Sequence, residues 1–365
     1  MRTSWVISGA AGALLLAGAP LPAQQGGPSY LLFVASRASG LVSLVRFAPT
    51  AGRIEHRTML RVDEADPVDP VAIAAIPGGR EYYVVTRRAT GEGEVVKVSI
   101  STDSARFTQL TDTVRDGERV GFEPDAIALT PDSGYAWVMN AGTGPGASSL
   151  SVVDSGPMAE VARIATCAGG RGSRFGADGL HHYSVCSRDD ILVEVDRRAM
   201  KVARRLMLDP AGGAPCAPMS LDLNHDGSRI VIGCAALNQV LEVDVASWTV
   251  ARRIAVPSAG SAIAVTPDGG IAVAGSSDTV TNNAAASIVD LGAGLVAGTV
   301  ALPGIVSGIA TSPDSRYAFV TTNGAGPSLG NVTMIDLRAR KALATIAVGN
   351  SADAITFWKV SPPPP

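Results

Sequence analysis

The stretch Ala126–Asn140, AIALTPDSGYAWVMN, sets two apolar runs on either side of the turn Thr130-Pro131-Asp132-Ser133-Gly134. Proline presets φ at a turn, aspartate bonds its own backbone two residues on, and glycine tolerates unusual φ, so the middle of the stretch reverses the chain. Each flanking run is too short for a helix and rich in β-branched and aromatic residues, so the stretch reads as a β-hairpin. It returns as Ala262–Ser276, AIAVTPDGGIAVAGS, and as Gly308–Thr322, GIATSPDSRYAFVTT.

With the turn as anchor, further copies emerge at Pro77-Gly78-Gly79, Ala177-Asp178-Gly179 and His225-Asp226-Gly227. The middle residues of the six anchors, 78, 132, 178, 226, 268 and 314, stand 54, 46, 48, 42 and 46 residues apart. A third apolar run follows each of the last five hairpins and ends in aspartate, at Asp154, Asp196, Asp244, Asp290 and Asp336. A fourth run then alternates apolar and polar side chains, as in KVARRLML (201–208) and TVARRIAV (249–256), the pattern of a half-exposed strand. A repeat of four short strands every forty-odd residues cannot bury both faces by itself and reads as a propeller blade.

The termini set the blade count. Tyr30–Ser36, YLLFVAS, behaves as the second strand of a unit whose first strand is missing, while Ser351–Trp358, SADAITFW, is a first strand with nothing after it. Pairing the two closes a ring and removes the sheet edges that would otherwise recruit other chains. The expectation is all-β: a seven-bladed propeller over 30–360, preceded by a linker at 24–29 and followed by a proline tail at 361–365.

These residues resemble the YVTN family of propeller repeats, whose unit runs approximately PDGIAVSPDGKYVYVTN and then VSVIDTATNTVVATIPVG. Pro124–Asp132 (PDAIALTPD), Tyr317–Asn323 (YAFVTTN), Val332–Asp336 (VTMID) and Ala342–Gly349 (ALATIAVG) carry the likeness. It spans the chain beyond residue 30 and is weakest in the first, second and fourth blades. The family is similar in design to lactonases, to quinoprotein amine dehydrogenase heavy chains and to surface-layer proteins, so the resemblance implies an architecture and leaves the activity open. No Trp-Asp dipeptide closes a third strand, which separates the chain from WD40 propellers.

Composition agrees with many short strands joined by tight turns. Of 365 residues, 46% are apolar and only 17% charged, with 40 glycines and 23 prolines spread along the chain. The net charge of −3 comes without a basic run, so nucleic acid is not an expected partner. Met1-Arg2, the apolar stretch Val6–Ala19 and Leu21-Pro22-Ala23 form a signal-peptide pattern over 1–23, too short to span a bilayer. A periplasmic or secreted protein follows as the expectation, monomeric and without a membrane span after cleavage.

Four cysteines form two equivalent pairs, Cys167 with Cys186 and Cys216 with Cys234, each with one member before a first strand and one in the second strand of the same blade. Hairpin register brings each pair within reach of a disulfide; free buried thiols are the second reading, and a metal site the third, because no Cys-x-x-Cys occurs. Adjacent His181-His182 opens the second strand of blade four, with His182 aligned on Tyr135, and reads as structural; His56 and His225 are scattered. The turn and third-strand aspartates recur in every blade and read as scaffold. No nucleophile elbow, phosphate-binding loop or metalloprotease motif occurs, so no catalytic, cofactor-binding or metal residue is assigned.

Function is then expected where the template is broken. The segments 111–123, 166–174, 209–218 and 277–285 read as long connections, and their Arg115, Arg119, Arg171 and Arg174 as candidate rim cations for an anionic ligand, against the plainer reading of solvated arginines. The functional expectation is a rigid module binding a protein or small molecule. The alternative is an enzyme or enzyme subunit, lactonase-like or related to quinoprotein amine dehydrogenase heavy chains.

Overall fold

The computed structural model describes residues 28–48, 51–59, 68–102, 110–143, 147–209, 214–257, 260–278, 283–324 and 329–361. The signal peptide expected at 1–23, residues 24–27 of the linker expected at 24–29 and the prolines at 362–365 lie outside the described residues. Seven four-stranded antiparallel sheets make up the chain, each built from strands that run outward from inner to outer edge in sequence order. Blade one is the exception that closes the ring: its inner strand Ala352–Ser361 pairs with the N-terminal strand Ser29–Ser36, with Val34 opposite Ile355. That strand runs to Ser361, so the boundary expected at residue 361 moves by one.

The inner strands of blades two to seven are Val68–Ala75, Pro124–Leu129, Gly170–Phe175, Pro218–Leu223, Gly260–Val265 and Ile305–Thr311. Each contacts the inner strand of the next blade, and the last contacts that of the first. Core packing is divided into seven apolar layers, one between each pair of neighbouring blades. Such a ring gains stability by stacking and closure, and the closure layers are the most aromatic. Tyr30 and Phe47 meet Tyr317 and Phe319 on one side of blade one, while Phe33 stacks on Tyr82 and meets Trp358 on the other.

The repeated aspartates serve the turns. Asp132 accepts hydrogen bonds from the Thr130 hydroxyl (2.5 Å), the Gly134 N–H (3.1 Å) and Arg197 (2.7 Å), which hold its carboxyl down to about 2. Thr266 and Asp268 repeat the arrangement. At the ends of third strands, Asp196 and Asp336 each accept from the N–H groups two and three residues on. Where the hairpin turn needs a left-handed residue, blades four to six use Gly179, Gly227 and Gly269, whereas Ser133 and Ser315 take φ of 57° and 56° in blades three and seven.

Two segments read as connections are strands. Residues 110–122 form the outer strand of blade two, and 170–175 the inner strand of blade four. An outer strand has one open edge and tolerates the charges of TDTVRDGERVGF. An inner strand borders the axial channel, so GRGSRF pairs through its backbone without an apolar pattern.

Candidate functional site at the channel mouth

Both cysteine pairs are bridged, Cys167–Cys186 and Cys216–Cys234, with Cα separations of 6.1 and 4.8 Å and no free cysteine. Cys186 and Cys234 take the place that Asn140 holds in blade three, the last residue of the second strand, opposite the first residue of the inner strand. Each bridge therefore pins the chain entering an inner strand to the loop leaving the second strand. In blades four and five these are the segments at one mouth of the channel.

Inner strands share one irregularity beside that mouth. Pairing with the second strand skips a residue, so that Val71, Asp125, Met219, Ser261, Ser307 and Asp353 have no partner opposite. In blade four the slip falls one step later, between Arg171 and Arg174, and counting from Gly170 opposite Cys186 makes Arg171 the counterpart of Asp125. A bulge residue leaves the ladder and is re-aimed. Val71, Asp125, Arg171, Met219, Ser307 and Asp353 all border one axial cavity of about 1190 Å³.

The backbone is turned into this mouth by left-handed residues placed immediately before four inner strands: Glu123, Gly169, Ala217 and Ser351, with φ of 51°, 69°, 48° and 54°. Three of these are not glycine, and non-glycine residues at positive φ are uncommon enough to mark a position fixed by its surroundings.

Charge around the mouth is paired, once within blade one and twice between neighbouring blades. Arg37 meets Asp353 at 2.8 Å, and Asn323 donates to the other oxygen of the same carboxylate at 3.1 Å. Burial pushes the Asp353 carboxyl above its ordinary range, against the pull of Arg37 and of the Asn323 hydrogen bond. Arg87 meets Glu123 at 2.7 Å, and Arg171 pairs with Asp125, which also accepts from the Gly172 N–H at 3.3 Å. Arg188, exposed on the loop two residues past Cys186, makes no ion pair with the described residues.

Deeper in the channel, three residues further along each inner strand, stand Ala74, Ala128, Ala264, Ala310 and Thr356 by register. Blades four and five depart from this small-residue ring with Arg174 and Asp222, which pair at 3.1 Å while the Val265 N–H donates to Asp222 at 2.9 Å. The four candidate rim arginines are thus not brought together. Arg171 and Arg174 border the channel from blade four, whereas Arg115 and Arg119 lie on the outer strand of blade two, opposite Val98 and Glu94. What separates them is the radius of the blade: the fourth strand of a sheet is its farthest from the axis.

His181 and His182 differ by one residue and fully in environment. His181 is exposed and pairs with Asp178 at 2.6 Å. His182 is buried, stacked 5.2 Å from Trp137, edge-on to Phe175 and hydrogen-bonded through Nε2 to the Ser173 hydroxyl at 2.6 Å. Burial, aided by the Arg174 charge, lowers its pKa to about 3, so it is neutral at pH 7. Strand pairing puts His181, not His182, at the place of Tyr135, since both face a strand-terminal aspartate; His182 replaces Ala136. The alignment of His182 on Tyr135 is therefore one residue out of register. Among the described residues, no group of three or more His, Cys, Asp or Glu is placed to hold a metal ion.

No protein-family model matches the chain, and no curated protein matches it. Solved structures do. Hydrazine synthase of Kuenenia stuttgartiensis is 22% identical over 73% of this chain and 76% of its own, with a TM-score of 0.58. A protein from Bacteroides uniformis, described provisionally as a 6-phosphogluconolactonase, is 12% identical over 90% of this chain and 99% of its own, with a TM-score of 0.71. A protein of unknown function from Desulfotomaculum acetoxidans is 10% identical over 90% and 99%, at 0.70. At such identities the likeness is one of fold.

Proposed function

We propose that the chain is an exported propeller of the YVTN type that acts as a rigid binding module, taking a small molecule or a protein segment at the bulge-lined mouth of its channel. The observation that carries this reading is variation at one repeated position. The blades keep one template at their turns and third strands, yet the bulge position, with its register counterpart in blade four, holds aspartate, valine, aspartate, arginine, methionine and serine around a single cavity. A scaffold position that the fold does not dictate, facing a common space, is where recognition is expected.

Export is supported by the signal-peptide pattern, by two disulfides, and by the absence of any long apolar helix among the described residues. The enzymatic alternative is less favoured by the mouth. A general acid or base needs a carboxylate free to exchange a proton with substrate, and Asp353, Glu123 and Asp125 are each held by an arginine.

The test is a thermal-shift panel of small carboxylates, phosphates, sugars and lactones on the wild type and on Asp125→Ala, with product analysis of every compound that shifts the melting. Stabilisation by one class, lost in Asp125→Ala and without turnover, is the expected result. Hydrolysis of a lactone lost in the same variant would replace the binding reading with the enzymatic one.

A further inference from the structure

The outer strands of the blades differ in charge. Those of blades one, two and three mix both signs, that of blade six, Leu295–Leu302, has none, and that of blade seven has Lys341 alone. Blades four and five stand apart: their outer strands Lys201–Met207 and Thr249–Ala255 hold Lys201, Arg204, Arg205, Arg252 and Arg253 and no carboxylate. The third strands neutralise part of this, since Glu194 takes Arg204 and Glu242 takes Arg252 at 3.3 Å. Lys201, Arg205 and Arg253 are exposed and make no ion pair among the described residues. Both of these arginines are nevertheless held in place: Arg205 donates to the Thr166 carbonyl of blade three at 3.0 Å, and Arg253 to the Leu208 carbonyl at the end of blade four. A guanidinium fixed by one nitrogen loses little further freedom when it takes a carboxylate on another.

Charge and open backbone coincide on this part of the rim. Each of the two strands is the last of its sheet, so its outer edge has no strand beside it. Guarding such an edge against other chains does not account for the excess of cations, because the outer strand of blade six leaves the same edge open with no charge at all. Between the two strands lies a groove of about 590 Å³, bordered by Leu206 and Met207 of blade four and by Val250, Ala251 and Arg253 of blade five. Met207 is 51% exposed, which places an apolar contact within a cationic surround.

From this coincidence we infer that the rim of blades four and five is a second docking site, separate from the mouth, and that its partner is an extended acidic segment of another protein. The segment adds a strand to the open edge of Lys201–Met207. Its backbone makes the hydrogen bonds common to any added strand, and its carboxylates select this edge over the other six through Lys201, Arg205 and, across the groove, Arg253. A folded acidic surface would meet the charges and miss the edge.

A fluorescein-labelled peptide of five Glu-Val pairs is the probe, read by fluorescence anisotropy. Its controls are peptides of the same length built from Lys-Val pairs and from Glu-Pro pairs, the second keeping the charge while its prolines lack the N–H that a ladder needs. The Glu-Val peptide is expected to bind the wild type, and each control roughly tenfold or more weakly. The double substitution Arg205→Gln, Arg253→Gln should weaken the Glu-Val peptide about tenfold, whereas Arg338→Gln, Lys341→Gln, which removes the same charge from exposed positions of blade seven, should leave it unchanged. Thermal scans establish first that both double variants melt with the wild type; where the first does not, the three peptides on the wild type carry the test. Equal binding of the Glu-Pro peptide would leave charge without strand addition and overturn the edge. Equal weakening in both double variants would reduce the effect to net charge and overturn the site. Heparin held more tightly than the Glu-Val peptide, and lost in Arg205→Gln, Arg253→Gln, would make the partner a polysaccharide and overturn the protein segment. Absence of Glu-Val binding at millimolar concentration would overturn the inference outright.

Discussion

Replacing Trp358 tests the closure of the ring at its most informative point. Trp358 lies on the C-terminal strand that completes blade one, is 1% exposed, and packs its ring 5.2 Å from that of Phe33 on the N-terminal strand. Its indole N–H donates at 2.9 Å to the carbonyl of Gly79, in the turn of blade two, so one side chain ties both chain ends to the neighbouring blade. Truncation of a fully buried tryptophan to alanine costs about 3 to 5 kcal/mol, and the Gly79 carbonyl left without its donor moves the expectation to the upper part of that range. A ring of roughly 330 residues has an unfolding entropy of about 0.7 kcal/mol/K near its melting temperature, which converts the loss into a drop of about 5 to 7 °C. Val360→Ala on the same strand is the control: Val360 is 43% exposed, and its truncation should stay within about 0.5 kcal/mol, under 1 °C. Calorimetry at one fixed scan rate reads both. If Trp358→Ala melts within 1 °C of the wild type, or Val360→Ala falls as far, the C-terminal strand does not close the ring.

Ending the chain at Asn350 removes the whole inner strand of blade one and bares the edge of Ser29–Ser36; the expected result is aggregated protein in size-exclusion chromatography, and a soluble variant of unchanged melting would contradict the seam. The double substitution Cys216→Ser, Cys234→Ser opens a loop of 18-residue separation worth about 3 kcal/mol, so melting should fall by roughly 4 to 5 °C, while a non-reducing peptide map of the wild type should show both bridges. His182 titrates near 6.5 when unfolded and near 3 when folded, so the native state binds fewer protons between those values, and its contribution, complete above pH 6.5, is lost as pH falls toward 3. From pH 7 to pH 4.5 the loss is about 2.7 kcal/mol, and His182→Phe, which keeps a ring against Trp137, should show a shallower fall in melting temperature over that range; parallel curves would mean that His182 does not set it.

The fold was legible because a propeller repeats its constraints. Each blade must reverse its chain at the same places, so Thr130-Pro131-Asp132 and Thr266-Pro267-Asp268 are the same solution of one local problem, visible at a fixed period. Closure was legible for a related reason, since a second strand without a first at one end and a first strand without a second at the other leave one economical pairing. The cysteine pairing was legible because hairpin register put each pair within reach of a bridge, and the even count at matched spacings favoured bridges over free thiols. Strand detection failed at 110–122 and 170–175, where the usual apolar alternation is absent because one strand sits on the open outer edge and the other on the channel.

The mouth stayed hidden for the converse reason: a site assembled from one residue per blade leaves no local motif, and each of its members looks like a flaw in the template. Its signal was nevertheless present as a spacing. Val71, Asp125, Arg171, Met219, Ser261 and Ser307 each stand seven residues before the middle residue of a turn anchor, at 78, 132, 178, 226, 268 and 314. Turn and bulge lie at opposite ends of the same inner strand, so a constant strand length fixes the offset, and aligning blades on the turn aligns the mouth. The turn residues agree from blade to blade because backbone geometry dictates them, while the bulge residues disagree because nothing in the hairpin constrains a side chain that has left the ladder. Asp132 and its counterparts hold the turns; Asp125, with Val71, Arg171, Met219 and Ser307, borders the cavity, one strand length away. In a ring built from one template, the position that repeats in place but varies in chemistry is the one to mutate first.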